Sequence, residues 1–100
     1  MQLIDKITSN TIMFPLESSD KSKAIQELLN QLLKEHFLTA TTKLFSFLEK
    51  HDTIMNPAVG RGIAFHHSES IEANDIIAVL GISSKGIDYQ SPDGQKVHFI

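Results

Sequence analysis

Cysteine is absent from the 100-residue sequence. Disulfide bonds, thiol nucleophiles and thiolate metal sites are therefore excluded. No apolar run approaches the roughly 20 residues that a membrane helix needs, and the start of the chain, MQLIDK, lacks the charged segment and apolar run of a secretion signal. A net charge of −3 gives no general attraction to nucleic acid. We therefore expect a cytoplasmic protein that neither inserts into membranes nor binds nucleic acid.

What the chain does contain is typical of a globular domain. Hydrophobic residues make up 41% and charged residues 21% of the sequence, which argues against disorder. A chain of this length can form a single domain with an adequate core, and it holds no repeat or low-complexity tract. We predict that residues 1–100 form one domain.

The clearest local pattern is that of a helix. Apolar residues recur at helical spacing between polar ones, which predicts a helix from about Lys21 to His36 with a buried stripe of Ala24, Ile25, Leu28, Leu29, Leu32 and Leu33. Asp20 and the two serines before it are its N-cap candidates. A threonine cluster offers a second N-cap, for a shorter helix that ends near Lys50–His51.

Strands are predicted from short apolar stretches bounded by turn residues. They fall at about Ile12–Leu16, Ile63–Phe65, Ile76–Ile82 and Val97–Ile100. Ser91–Gly94 is a strong turn signal, since proline and glycine stand at favoured turn positions. A strand, two helices and three further strands imply an α/β fold with helices flanking a mixed sheet.

The last predicted strand reaches the final residue, Ile100. We expect a domain that stops there to leave an apolar strand edge with little to cover it. If the chain is a piece of a longer domain, such an edge favours self-association or strand exchange, and we then predict a homodimer or larger assembly.

The most informative stretch is GRGIAFHH, residues 60–67. Two glycines one residue apart are typical of a tight turn or of close approach by another group. The apolar residues after them predict the start of a buried strand, which ends in His66 and His67. Histidine changes charge near neutral pH, so both are candidates for proton or phosphoryl chemistry. Taken alone, a strand-end histidine without chemistry is the simpler interpretation.

As a set, these residues resemble the enzyme IIA domain of the bacterial phosphoenolpyruvate:sugar phosphotransferase system, in its fructose/mannitol and nitrogen-regulatory class. The family segment reads in outline G-x-G-[IV]-A-[IV]-P-H, and residues 60–67 follow it with His66 in place of the proline. Further matches are Asp20-Lys21 at the helix start, Gly86–Tyr89, and Asp93-Gly94 followed by Val97. The resemblance runs from about Leu3 to Ile100.

The resemblance implies an α/β sandwich that accepts a phosphoryl group on His67 from a histidine phosphocarrier protein. A IIB domain or a regulatory target would receive the phosphoryl group next, and no cofactor or metal is implied. The supporting residues would be Gly60, Arg61 and Gly62 in the glycine loop, His66 beside the acceptor, and His51. In a gapless register, His51 stands where the family usually has an arginine, and a one-residue slip would put Lys50 there. The family domain normally continues further, with a second active-site histidine, so we expect a domain shortened at its C-terminus.

Two other interpretations stay open. One is a IIA-derived regulatory module that has lost phosphorylation and works by protein contact, and the other is a fragment of a longer IIA domain. A zinc site drawn from Glu69 and the histidines at 51, 66, 67 and 98 is disfavoured, because adjacent residues of an extended strand point to opposite faces. His66 is interpreted as a surface substitution.

Overall fold

A five-stranded mixed sheet and two helices make up the computed structural model of the chain, which describes residue 5 and residues 7–68 and 77–100. The helices are α1 (Lys21–Lys34) and α2 (Thr42–Ile54). The strands are β1 (Ile12–Met13), β2 (Ala58–Gly60), β3 (Ile63–Ala64), β4 (Leu80–Ile87) and β5 (Val97–Phe99). The predicted α/β fold is confirmed.

The strands lie in the order β1-β4-β5-β3-β2. β1 runs parallel to β4 and β3 runs parallel to β5, whereas β2–β3 and β4–β5 are antiparallel pairs. β2 and β3 form a hairpin in which Ala58 stands opposite Ala64. The residues that follow β3 are held beside the hairpin, because Phe65 N–H donates to the Pro57 carbonyl at 2.9 Å.

Helix α1 begins where its sequence predicts. The Asp20 carboxylate accepts the backbone N–H groups of Ser22 at 2.8 Å and Lys23 at 3.4 Å, which caps the first turn. The helix ends at Lys34, and His36 closes it in the left-handed conformation with φ of 64°. The predicted helix is thus confirmed, and its last two residues form the cap. The predicted stripe is wrong at Leu33, which is exposed.

The core has two parts, one on each side of α1. Ala24 and Leu28 pack against the sheet, in a cluster with Leu16, Ala58, Ala64, Ile87, Tyr89, Val97 and Ile100. The other edge of the stripe packs against α2 and the loop before it, in a cluster of Ile25, Leu29, Leu32, Leu38 and Leu48. Helix α1 therefore lies between the sheet and α2, and its first turn contacts residues from both.

Several predicted boundaries are wrong. Helix α2 continues three residues past His51 to Ile54, because no helix-breaking residue intervenes before Asn56-Pro57. The predicted buried strand at Ile63–Phe65 has only two residues, and both Ile63 and Phe65 are about half exposed. The strand predicted at Ile76–Ile82 begins at Leu80 and runs to Ile87, and residue 76 lies outside the described residues.

The C-terminal strand does not form the open edge that the sequence predicts. β5 lies in the middle of the sheet, paired with β4 on one side and β3 on the other. Ile100 is buried, and it exchanges two backbone hydrogen bonds with Gly81, at 2.7 and 2.9 Å. The edges of the described sheet are β1 and β2 instead, so self-association stays a prediction without this support.

Within residues 7–68 and 77–100, neither helix has the length and apolar character needed to cross a membrane.

Candidate functional site around His67

A shallow cavity of about 140 Å³ lies between the end of α2 and the segment that follows β3. Its lining brings together three of the predicted site residues, His51, His66 and His67. The full lining is Leu48, His51, Asp52, Met55, Asn56, Pro57, Val59, Phe65, His66 and His67. Residues from the end of α2 and from the β2–β3 hairpin thus converge at the histidine pair.

His67 is exposed, and its ring has aromatic neighbours on two sides. The ring of His51 meets it edge to face, with centroids 5.8 Å apart and planes inclined by 70°. The Phe65 ring lies 5.7 Å away. Phe47, one turn earlier on α2, stacks on His51 at 5.8 Å with the planes 10° from parallel. The Phe47 ring therefore supports the His51 ring against the exposed imidazole of His67.

His66 has the opposite environment, and its interpretation as a surface substitution is wrong. Its side chain is only 10% exposed. Its Nε2 lies 2.9 Å from the hydroxyl of Tyr89, within hydrogen-bond distance. Its Nδ1 is buried and lies 3.4 Å from Asp52 Oδ1, yet it has no hydrogen-bond partner among the described residues. Adjacent residues of an extended segment alternate in direction, so one histidine faces inward and the next faces solvent.

The surroundings of His66 favour its neutral form. Burial lowers the pKa of His66, because it removes water from the charged imidazolium. The Asp52 carboxylate acts in the opposite direction and raises this pKa, whereas the charges of Lys21 and His51 lower it further. The net effect is a lowered pKa of His66, which favours the neutral ring.

Lys21, Asp52, His66 and Tyr89 form a polar cluster next to His67, which we call the Asp52 cluster; all but the partly exposed Lys21 are largely buried. Lys21 Nζ pairs with Asp52 Oδ2 at 3.2 Å and lies 5.2 Å above the centre of the Tyr89 ring. Burial, and secondly the Asp52 charge, raise the pKa of Tyr89, which therefore keeps its proton. The cluster joins the first turn of α1, the end of α2 and the chain that follows β4 to the histidine pair.

Sequence reasoning missed Asp52 and the site contacts of Lys21 and Tyr89. Asp52 follows His51 on a helix whose docking face has no clear pattern. Lys21 is the first residue of α1 and looks like an ordinary exposed lysine. Its pairing with Asp52 depends on how two helices pack, so no local spacing reports it.

The glycine loop lies at the β2–β3 turn and does not line the cavity. Gly60, Arg61 and Gly62 all have positive φ, of 94°, 57° and 79°. The Arg61 backbone N–H donates to Asp93 Oδ2 at 2.7 Å, and a Cβ on Gly60 would lie only 3.3 Å from that oxygen. Glycine is therefore required here by the hairpin and by the Asp93 contact. Support of a phosphoryl group by these three residues stays a prediction.

The turn predicted at Ser91–Gly94 is confirmed, and its Asp93 contacts the glycine loop. Gly94 N–H donates to the Ser91 carbonyl at 3.0 Å. Hydrogen bonds from Arg61 N–H, and next from Gln95 N–H, lower the pKa of Asp93. The Asp93 carboxylate thus ties the glycine loop to the turn before β5.

His98 lies apart from the cavity, on β5. Its Nδ1 is 2.8 Å from the carbonyl oxygen of Ser83 on β4, so it donates its proton to the neighbouring strand. Among the residues that the structure describes, no three His, Asp or Glu side chains converge as metal ligands would. Glu69, considered above for zinc, lies outside the described residues.

Comparisons with known proteins agree with the resemblance. The family model for the phosphoenolpyruvate-dependent sugar phosphotransferase system, EIIA 2, matches residues 5–100. The fructose-specific EIIABC component of the phosphotransferase system of Bacillus subtilis is 27% identical over 100 residues, which are all of this chain and 16% of that protein. A nitrogen regulatory protein of Bradyrhizobium diazoefficiens is 26% identical over 102 residues, which cover all of this chain and 65% of that protein.

The chain therefore spans less than two thirds of the length of either relative. No solved structure matches it. The family match, however, extends over nearly the whole sequence. The chain belongs to the EIIA 2 family of the phosphoenolpyruvate-dependent sugar phosphotransferase system.

Proposed function

We propose that the chain is a phosphocarrier that accepts a phosphoryl group on His67 from the phosphohistidine of a histidine phosphocarrier protein. It would pass the group to a IIB domain or a regulatory target, in sugar transport or its regulation. The observation that carries the proposal is the contrast within the histidine pair. His67 is exposed at the cavity beside His51, whereas His66 is buried and bonded to Tyr89. Of the two rings, only that of His67 can meet a donor protein.

The transfer itself needs little covalent chemistry from the protein. A neutral nitrogen of His67 forms a bond to phosphorus as the bond to the carrier histidine breaks, and the bonding electrons return to the carrier ring. The proton on the other nitrogen of His67 leaves and the carrier ring takes one up, so the transfer releases no proton overall. Charge in this loose transition state is spread over the phosphoryl oxygens, so positioning and nearby positive groups determine the rate. The His51 ring, 5.8 Å from that of His67, is the nearest candidate for such a group.

The surface around the cavity supports a protein as the donor. Three apolar side chains that line the cavity are largely exposed: Met55 by 64%, Val59 by 66% and Phe65 by 58%. Exposed apolar side chains grouped beside a reactive residue are typical of a protein contact surface. The cavity between them is shallow and small, which suits a projecting side chain better than a large ligand.

One observation favours a second candidate, a regulatory module without phosphotransfer. None of the described residues that line the cavity is a lysine or an arginine. Lys21 does not line the cavity, and its positive charge is paired with Asp52, which does. A phosphoryl group on His67 would thus depend on His51 for positive charge. The same apolar surface would serve a protein partner in either case.

Phosphate transfer from phosphoenolpyruvate, through purified enzyme I and sugar-type or nitrogen-type carriers, tests the proposal. The proteins compared are the native chain, His67→Ala and, as a matched control, His98→Ala, which removes a histidine remote from the cavity. We expect acid-labile phosphate on the native chain and on the control, and none on His67→Ala. Absence of label on all three would overturn the proposal in favour of the regulatory module.

A further inference from the structure

The His66–Asp52 contact is incomplete. The two atoms are 3.4 Å apart, both side chains are at most 10% exposed, and Nδ1 has no hydrogen-bond partner among the described residues. A buried polar atom without a partner costs free energy, so its presence beside a carboxylate calls for an explanation. At 3.4 Å the contact is long for a hydrogen bond, and it becomes an ion pair only when His66 carries a charge.

The proton positions follow from the neighbours of the ring. Asp52 Oδ2 already accepts from Lys21, so Oδ1 is the oxygen that faces His66. A carboxylate oxygen disfavours a bare nitrogen lone pair opposite it, so the neutral ring carries its proton on Nδ1. Its Nε2 then accepts from the Tyr89 hydroxyl. A second proton on Nε2 would require only that the Tyr89 hydroxyl rotate, because its oxygen can also accept.

We propose that His66 is a proton-binding positioning residue, which takes up a proton when a phosphoryl group joins His67 and then pairs as an imidazolium with Asp52. This inference rests on the proposed phosphoryl acceptance at His67. The proton comes from solvent, because the transfer between two neutral imidazoles releases none. His66 itself does not touch the phosphoryl group.

The charges that face His66 make this response possible. Lys21 on α1 and His51 on α2 oppose a proton on His66, Asp52 on α2 favours it, and Tyr89 stays neutral. In the unphosphorylated protein, burial and the charges of Lys21 and His51 outweigh the effect of Asp52, which favours the neutral ring. A phosphoryl group on the adjacent residue adds close to two negative charges nearby. Those charges favour the imidazolium and shift the balance towards the paired state.

The consequence is a pH dependence with a definite sign. Between the pKa of His66 in the free protein and its higher pKa in the phosphorylated protein, phosphorylation binds up to one proton. Lower pH in that interval therefore favours the phosphorylated form, by at most about tenfold in the equilibrium constant per pH unit. In His66→Gln this contribution is lost. Titration of the phosphoryl group itself is common to both proteins and cancels in the comparison.

The test is an NMR titration of the His66 ring, assigned by the signal that His66→Gln lacks. It compares the native chain before and after chemical phosphorylation with phosphoramidate, a small-molecule donor that needs no carrier protein. It also compares His67→Asn with His67→Asp, which place a neutral or a negative group of equal size beside His66. We expect a higher pKa of His66 in the phosphorylated chain and in His67→Asp than in their uncharged counterparts.

Asp52→Asn supplies the positioning control, since without the carboxylate the pKa of His66 should be lower both before and after phosphorylation. An unchanged His66 pKa in both pairs would overturn the inference. Failure of the proposed function has a different signature: carriers leave His67 unlabelled, while the His67→Asp and His67→Asn proteins still differ at His66.

Discussion

His51 meets His67 edge to face, with the ring centroids 5.8 Å apart, and Phe47 holds His51 in that position from the other side. The contact joins α2 to the segment after β3. In the gapless register of the resemblance, His51 would take the place of the family's arginine. Arginine is always charged and presents several donors, whereas histidine is charged only in part at neutral pH. The positive charge available to a phosphoryl group on His67 is therefore smaller here than an arginine would give.

His51→Arg should accelerate phosphoryl transfer to His67. We expect about a tenfold increase in the single-turnover rate from a phosphorylated carrier, which corresponds to ~1.4 kcal/mol of barrier. His51→Gln should lower the rate instead. Ser46→Arg is the matched control, because it adds the same charge to an exposed position of α2 that does not line the cavity. Equal rates for His51→Arg and the control would show that charge at this position is irrelevant.

Tyr89→Phe should destabilise the fold through the Asp52 cluster. The substitution removes the hydroxyl that lies 2.9 Å from His66 Nε2 and leaves that buried nitrogen without a partner. We expect a loss of about 1–3 kcal/mol in the free energy of unfolding, measured with urea. The lysine above the ring keeps its aromatic neighbour in this variant.

Ser91→Ala is the control for that measurement. Ser91 Oγ is buried and has no hydrogen-bond partner among the described residues, so its removal breaks no hydrogen bond. Its effect should stay within about 0.5 kcal/mol of zero. A Tyr89→Phe protein as stable as the native chain would mean that the His66 contact contributes nothing.

Helix α1 could be predicted from sequence because its evidence is local. The apolar stripe repeats every three to four residues, and Asp20 supplies the cap within one turn. The phosphoacceptor candidate was likewise found in one contiguous segment, residues 60–67. Alternation along an extended segment also predicts that His66 and His67 differ in exposure, but not which of the two faces inward.

The rest of the site depends on contacts between distant parts of the chain. Lys21 reaches Asp52 only because α1 and α2 pack together, and Tyr89 reaches His66 only through the order of the strands. Strand order is not local information, which is why β5 was expected at an edge and lies in the centre. The Asp52 cluster could not have been found from spacing alone.

Gly81→Ala should destabilise the protein by overpacking. Gly81 lies on β4 beneath α1, and a Cβ there would lie 2.7 Å from Leu28 Cδ2 and 2.8 Å from Leu16 Cδ1. Both leucines are buried in the core cluster and have little room to move. We expect a loss of about 1–3 kcal/mol in urea unfolding.

The cause can be separated from a backbone effect by a double variant. Leu16→Ala removes two of the three nearest atoms, Leu16 Cδ1 and Cδ2, so the extra methyl group at residue 81 would partly fill the space that they leave. The loss in Gly81→Ala/Leu16→Ala should therefore be smaller than the sum of the two single losses. Strict additivity would argue that the strand backbone, and not the leucine contact, is responsible.

Asp93 should make the stability depend on pH. Its carboxylate accepts N–H groups from Arg61 and Gln95, which lower its pKa in the folded protein. Because the folded pKa lies below the unfolded one, the contribution is complete above the unfolded value and is lost as pH falls through the folded value. Asp93→Asn should thus be less stable than the native chain at pH 7, and the difference should shrink below about pH 4.

Asp88→Asn is the comparison for Asp93. Asp88 is an exposed aspartate with one backbone partner, Gln90 N–H, and its removal changes the net charge by the same amount. Its effect should be smaller and should vary less with pH. A pH-independent difference between Asp93→Asn and the native chain would contradict the role of the carboxylate charge.

Phe65→Ser should weaken the encounter with a phosphocarrier while leaving the chemistry of His67 in place. The Phe65 side chain is 58% exposed at the cavity, beside His67, so its loss removes apolar contact area from the proposed docking surface. Loss of such contact acts on binding, and we expect KM for the phosphorylated carrier to rise about tenfold with kcat nearly unchanged. Phe37→Ser, a half-exposed phenylalanine after α1 that does not line the cavity, should leave both constants unchanged. A fall in kcat alone would instead show that Phe65 orients the His67 ring. An equal rise in KM for both variants would show that the carrier does not dock at the cavity.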